Sequence, residues 1–105
     1  MNARNQVVVT GRLLDVEPLR YTPAGIPALE FRLVHDSSQP EAGVSRQVQC
    51  EIACVCLGDK AKTLAVLGTD VEIVVKGFLA ARNQRYKHSL VLHISDWKRV
   101  QLPST

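Results

Sequence analysis

Five stretches of the chain set apolar residues at every second position, and two of them carry a glycine in mid-run. Period-two alternation puts one face of an extended strand against a core and the other in water, while a mid-strand glycine permits a sharp bend or a close neighbour. In NQVVVTGRLL the shared face holds Val7, Val9, Gly11 and Leu13; in DVEIVVKGFLA it holds Val71, Ile73, Val75, Gly77 and Leu79. ALEFRLVHD alternates Leu29, Phe31 and Leu33 against Glu30 and Arg32. QVQCEIACVCL turns Val48, Cys50, Ile52, Cys54 and Cys56 inward and Gln47, Gln49, Glu51 and Ala53 outward, and SLVLHISDWKRVQL supplies the fifth strand.

The connections are equally marked. YTPAGIPA holds Pro23, Gly25 and Pro27, more than a continuing strand absorbs, so the chain turns there. Residues 37–46, SSQPEAGVSR, lack periodicity and contain Pro40 and Gly43, which predicts an exposed, mobile loop. GDKAKTLAVLG places Ala61, Leu64, Ala65 and Leu67 on one helical face, with Asp59 as the expected N-cap and Gly68 closing the other end. Three strands, a short helix and two further strands describe an all-β, five-stranded OB-fold Greek-key barrel with one short helix between strands three and four. A split-sheet α+β domain would need more helix than this.

With 105 residues the chain is expected to form a single domain over residues 1–105. No apolar run approaches the roughly 18 residues of a membrane span, and residues 1–6 lack the apolar region of a signal peptide, so a cytoplasmic location without membrane contact is expected. Charge is unevenly spread. Residues 1–72 hold 7 Lys and Arg against 9 Asp and Glu, whereas residues 73–105 hold 6 against 1. A basic segment of this kind favours a polyanion, although many solvated faces are as basic.

Cys50, Cys54 and Cys56 fall on one strand face, with Cys54 and Cys56 about 7 Å apart at Cα, at or beyond the limit for a disulfide and awkward for a shared tetrahedral metal. They are expected to be reduced core residues. A metal or redox module built on them is the competing reading. His35, His88 and His93 are separated by whole elements, and no carboxylate pair, nucleophile motif or phosphate-binding glycine loop occurs. Catalysis is therefore not expected, nor is any cofactor or metal.

An OB-fold ligand normally lies across the outer face of the second and third strands, flanked by the loops after strands one and four. The loop after strand four, residues 81–88, crowds Arg82, Arg85 and Lys87 around Tyr86, with His88 beside them. Cations track a single-strand backbone and aromatics stack on its bases, at about 1–3 kcal/mol per base. A charged hairpin tip would look similar in a generic β domain; in this fold, at this loop, binding is the expectation. The outer face adds Arg32, Arg46 and Gln49 but also Glu30 and Glu51, and Tyr21 flanks the first turn. Trp97 reads as a packing residue. Binding is expected to be mainly electrostatic and steeply salt-dependent.

VTGRLLDVEPLRYTPAGIPALEFRLVH, EAGVSRQVQCEI and VKGFLAARNQRYKHSLVLHI, in that order, resemble the bacterial primosomal replication protein N (PriB) family across nearly the whole chain. The resemblance implies an OB-fold homodimer without catalytic activity that binds single-stranded DNA and helps restart stalled forks, contacting the restart helicase PriA and the partner DnaT. It also implies that the family's basic-loop lysines correspond loosely to Arg82, Arg85 and Lys87. Where the family places aromatics in the long loop and in strand three, this sequence has Val44 and Gln49, so weaker DNA binding is expected, with arginine stacking in partial compensation. The valine-rich first strand could pair with its two-fold mate. A generic single-strand-binding protein without a helicase partner is the alternative; such proteins usually append an acidic tail, and this sequence ends in QLPST.

Overall fold

The computed structural model describes residues 2–101. In chain order the elements are β1 (Val7–Leu14), β2 (Arg20–Tyr21), β3 (Pro27–Glu41), β4 (Val44–Leu57), α1 (Asp59–Leu67), β5 (Glu72–Ala81) and β6 (Leu90–Arg99). The sheet order is β1-β5-β6-β4-β3-β2, and an additional β1–β3 pairing closes five of these strands into a barrel. β4 and β6 pair in parallel and the other pairs are antiparallel. The expected five-stranded barrel is present. The helix lies between β4 and β5 because the two-residue β2, pairing Arg20 with Ala28 and Tyr21 with Pro27, precedes the long hairpin. Its Pro- and Gly-rich continuation hid so short a strand.

Both mid-strand glycines mark close approaches. β1 changes partner midway, from β5 along residues 7–12 to β3 along residues 12–14. A Cβ at Gly11 would collide with the Leu33 side chain and the Val34 carbonyl. At Gly77, beside an irregularity in the β5–β6 register, a Cβ would overlap the His93 carbonyl. Only glycine lets these backbones approach so closely.

Leu13, Leu29, Leu33, Ile73, Val75 and Leu92 meet in the barrel interior, with Ala61 and Leu64 of α1 against the same core. Each such large apolar side chain contributes roughly 1.5–3 kcal/mol on burial. Gly58, not Asp59, occupies the N-cap, at φ 93°; no side-chain cap bond forms and Asp59 stands in the first turn. Gly68 closes the helix as expected. Trp97 packs on the core and donates its indole N–H to the Lys60 carbonyl at 3.1 Å, while Lys60 Nζ lies 2.8 Å from Asp96. The Lys60 ammonium and the Trp97 backbone N–H hold the Asp96 carboxyl below its ordinary pKa.

Residues 37–46 do not form a loop. They continue β3 and β4 as a hairpin paired from Ser37↔Val48 to Glu41↔Val44, turned by Ala42 and Gly43 at φ 53° and 78°. Left-handed conformation at both turn residues matches the twist of the flanking strands. This arm overhangs the barrel and pairs only with itself, so both its faces are wet and nothing selects apolar alternation; Pro40 is tolerated on such edges. The overhang also exposes Cys50, correcting its expected core position, whereas Cys54 and Cys56 are buried. All three are free thiols, and burial pushes Cys54 up to about 12 and Cys56 up to about 11. Leu79, expected inside, is 38% exposed near the far end of β5.

Among the described residues no helix is long and apolar enough to cross a membrane. The sequence-predicted fifth strand ends at Leu102; that residue and the rest of the QLPST tail beyond Gln101 lie outside the described residues.

Candidate nucleic-acid interface

The β5–β6 connection is folded by one side chain. Asn83 Oδ1 accepts the backbone N–H of Arg85 at 3.1 Å and of Tyr86 at 2.9 Å, an asparagine turn of the kind its short amide favours. Arg82 N–H donates to Ser89 O at 2.7 Å, which carries the strand ladder to the foot of the loop. The Arg85 guanidinium then lies 5.6 Å from the Tyr86 ring centre, and His88 meets the same ring edge-on at 6.4 Å. Arg82, Arg85, Tyr86, Lys87 and His88 are all exposed. Among the described residues, no ion pair engages Arg82, Arg85 or Lys87.

The outer face of β3 and β4 differs. Arg32 lies 3.1 Å from Glu51 and 3.7 Å from Asp15, and Arg20 lies 3.3 Å from Glu30. A cleft of about 600 Å³ opens there, with Asp15, Glu30, Arg20, Arg32 and Arg82 among its walls. Arg82 joins the loop to the cleft. The remaining anticipated residues lie apart from it: Arg46 pairs with Glu41 at 2.7 Å on the overhanging arm, Gln49 donates to Asp36 at 3.4 Å, and Tyr21 stands 58% exposed on β2. The structure thus brings Arg32 and Arg82 together and leaves Arg46, Gln49 and Tyr21 outside. Sequence reasoning missed Arg20 and Asn83. The asparagine between basic residues was the available signal for the second; Arg20 became visible only through β2.

An exposed, unneutralised cationic loop beside a cleft across β3 and β4 can hold phosphate oxygens, and its paired arginine and tyrosine offer a flat surface to a base. The barrel and this site define the single-strand-binding class of OB-fold. Residues 5–96 match a model described as another single-strand binding protein family. The chain belongs to the replication restart protein PriB family within that class: it is 42% identical over 97 residues to replication restart protein PriB of Bordetella pertussis, covering 91% of this chain and 89% of the relative, and 38% identical over 93 residues to that of Nitrosomonas europaea, covering 89% and 85%. Among solved structures it is similar to PriB from Ralstonia solanacearum, with 31% identity, a TM-score of 0.84 and coverage of 94% of this chain and all of that one. The single-stranded DNA binding protein from Thermus aquaticus shares the fold, with a TM-score of 0.73 and 23% identity over 93% of this chain and half of the other.

Proposed function

We propose that this protein binds single-stranded DNA through the loop of residues 82–88 and serves replication restart. The observation that carries the reading is the loop itself: Arg82, Arg85 and Lys87 stand without carboxylate partners among the described residues, around the exposed Tyr86, at the position that flanks the ligand face of this fold. Membership of a family whose relatives are named replication restart protein PriB supports the cellular role. Arg32 and Arg20 extend the site into the cleft, their charge reduced by the neighbouring acids; Arg46, Gln49 and Tyr21 make peripheral contacts at most.

The same reading makes the protein an accessory factor that stabilises the restart helicase PriA on DNA and works with DnaT in primosome assembly. It acts as one domain, in the cytoplasm, with no catalytic step of its own. A homodimer joined edge to edge through β1 is supported by the geometry of that strand: among the described residues, 7–11 pair only on the β5 side, and their other edge is open apart from a 2.7 Å bond between His35 Nδ1 and the Thr10 carbonyl.

The test is simultaneous charge reversal of Arg82, Arg85 and Lys87, with oligodeoxythymidylate binding followed across a salt series. Affinity falls sharply and the salt slope flattens by about two, since each phosphate contact on a single strand contributes about 0.7. An unchanged affinity and slope overturns the assignment. Retention of PriA from purified components, with and without DNA, tests the helicase contact separately.

A further inference from the structure

We propose that the outer face of β5 carries a second nucleotide subsite, in which Phe78 stacks a base and Arg4 and Lys76 hold the neighbouring phosphates. The proposal rests on the single-strand-binding reading above and extends the DNA path away from the loop.

Phe78 points outward from the barrel and is 43% exposed, an unusual placement for a phenylalanine on a strand with a core to fill. It is opposite His93 in the β5–β6 register, and the two rings stack with centres 5.1 Å apart and planes 6° from parallel. The stack fixes the ring upright on the sheet with one face covered. Phe78 also lines a depression of about 300 Å³ together with Arg4, Gln6, Lys76 and Ser95. Among the described residues no carboxylate lines it. Asp96, across the strand from Lys76, is held at 2.8 Å by Lys60, and no ion pair among the described residues engages Arg4 or Lys76.

The opposite wall is fixed in place. Asn5 donates its side-chain amide to the Leu79 carbonyl at 2.7 Å and accepts the Leu79 N–H at 2.9 Å, so its side chain copies a backbone pairing. That double bond seats the segment containing Arg4 beside Phe78 before any ligand arrives. An aromatic face, two unneutralised cations and no acid provide the chemistry of one base with its flanking phosphates.

The subsite is continuous with the loop. Phe78 and Ala80 lie on one side of β5 by the period of the strand, and the basic loop opens directly where β5 ends at Ala81. A bound strand gripped by the loop can therefore run along β5 and place a later base against Phe78, while a shorter one ends at the loop.

The experiment compares wild type with Phe78→Ala on oligodeoxythymidylates of about five and about fifteen nucleotides, which bracket the site sizes of such folds. The longer strand binds Phe78→Ala roughly 5- to 150-fold more weakly, the loss of one stacked base, and the shorter strand binds unchanged. Phe78→Leu, which keeps apolar bulk without the aromatic face, shows the same length-dependent loss and decides the matter if the alanine variant fails to fold. Arg4→Glu with Lys76→Glu flattens the salt slope for the longer strand by about 1.4. Equal binding of both lengths by wild type and both Phe78 variants overturns the subsite while leaving the loop reading intact. So does a loss that is the same at both lengths, or a change in oligomeric state without a change in affinity. Failure of the wild type to bind either strand overturns the single-strand-binding reading itself, and the subsite with it.

Discussion

Arg32 Nη1 stands 3.1 Å from Glu51 Oε1 across the β3–β4 ladder, so the central cation of the outer face is occupied by the protein's own carboxylate. Glu51→Gln removes the nearer of its two carboxylate partners and leaves Asp15 at 3.7 Å. Affinity for oligodeoxythymidylate rises a few-fold at low salt, and the slope of log affinity against log salt steepens by about 0.7, the contribution of one additional phosphate contact. Fluorescence-anisotropy titration at several salt concentrations measures both.

Gly77→Ala is severely destabilising. The added Cβ overlaps the His93 carbonyl, a backbone atom that cannot swing aside as a side chain does. A loss of about 3 kcal/mol, the upper end for overpacking, is expected in urea unfolding with an unchanged m value.

Ala42→Asn stabilises the protein. Ala42 adopts φ 53°, a region that costs an ordinary L-residue about 1 kcal/mol and that asparagine tolerates. A gain of about 0.5–1 kcal/mol in unfolding free energy is expected, with the hairpin register unchanged in cross-strand proton contacts.

The thiols separate into two classes. In the native protein a thiol reagent modifies Cys50 quickly, and Cys54 and Cys56 react only on unfolding. Burial raises Cys54 to about 12 and Cys56 to about 11 from an ordinary 9.0, so the unfolded chain loses these protons first as pH rises. The stability they contribute is complete below about pH 9 and declines between there and about pH 11–12. Urea midpoints across that interval fall, and fall less in Cys54→Ala, where one of the two buried thiols is gone.

The barrel was legible because its inner faces obey a period of two and its glycines interrupt that period at close approaches. The arm formed by residues 37–46 was not: with water on both sides, Ser37, Ser38, Gln39, Ser45 and Arg46 bear no imprint of the strands they form. The same missing constraint misplaced Cys50, which continues the parity of Cys54 and Cys56 past the end of the core. At the candidate site the loop cations could be named from sequence, since charge and position sufficed. Their difference from Arg32 and Arg46 could not, because it depends on Glu51 and Glu41, each brought alongside by the β3–β4 pairing. Asn83 was overlooked for a similar reason, its role lying in two hydrogen bonds to the backbone.

Arginines answered by carboxylates on the β3–β4 face, and a cluster of cations left unanswered at the β5–β6 turn, give the molecule an electrical asymmetry that its formal charge of +3 does not convey. A body charged in this way experiences a torque in the field of a polyanion, and it rotates during approach, well before any atom touches. If the loop is the binding site proposed above, then within a Debye length of roughly 8 Å at physiological salt this asymmetry biases collisions toward the tip of the β5–β6 turn.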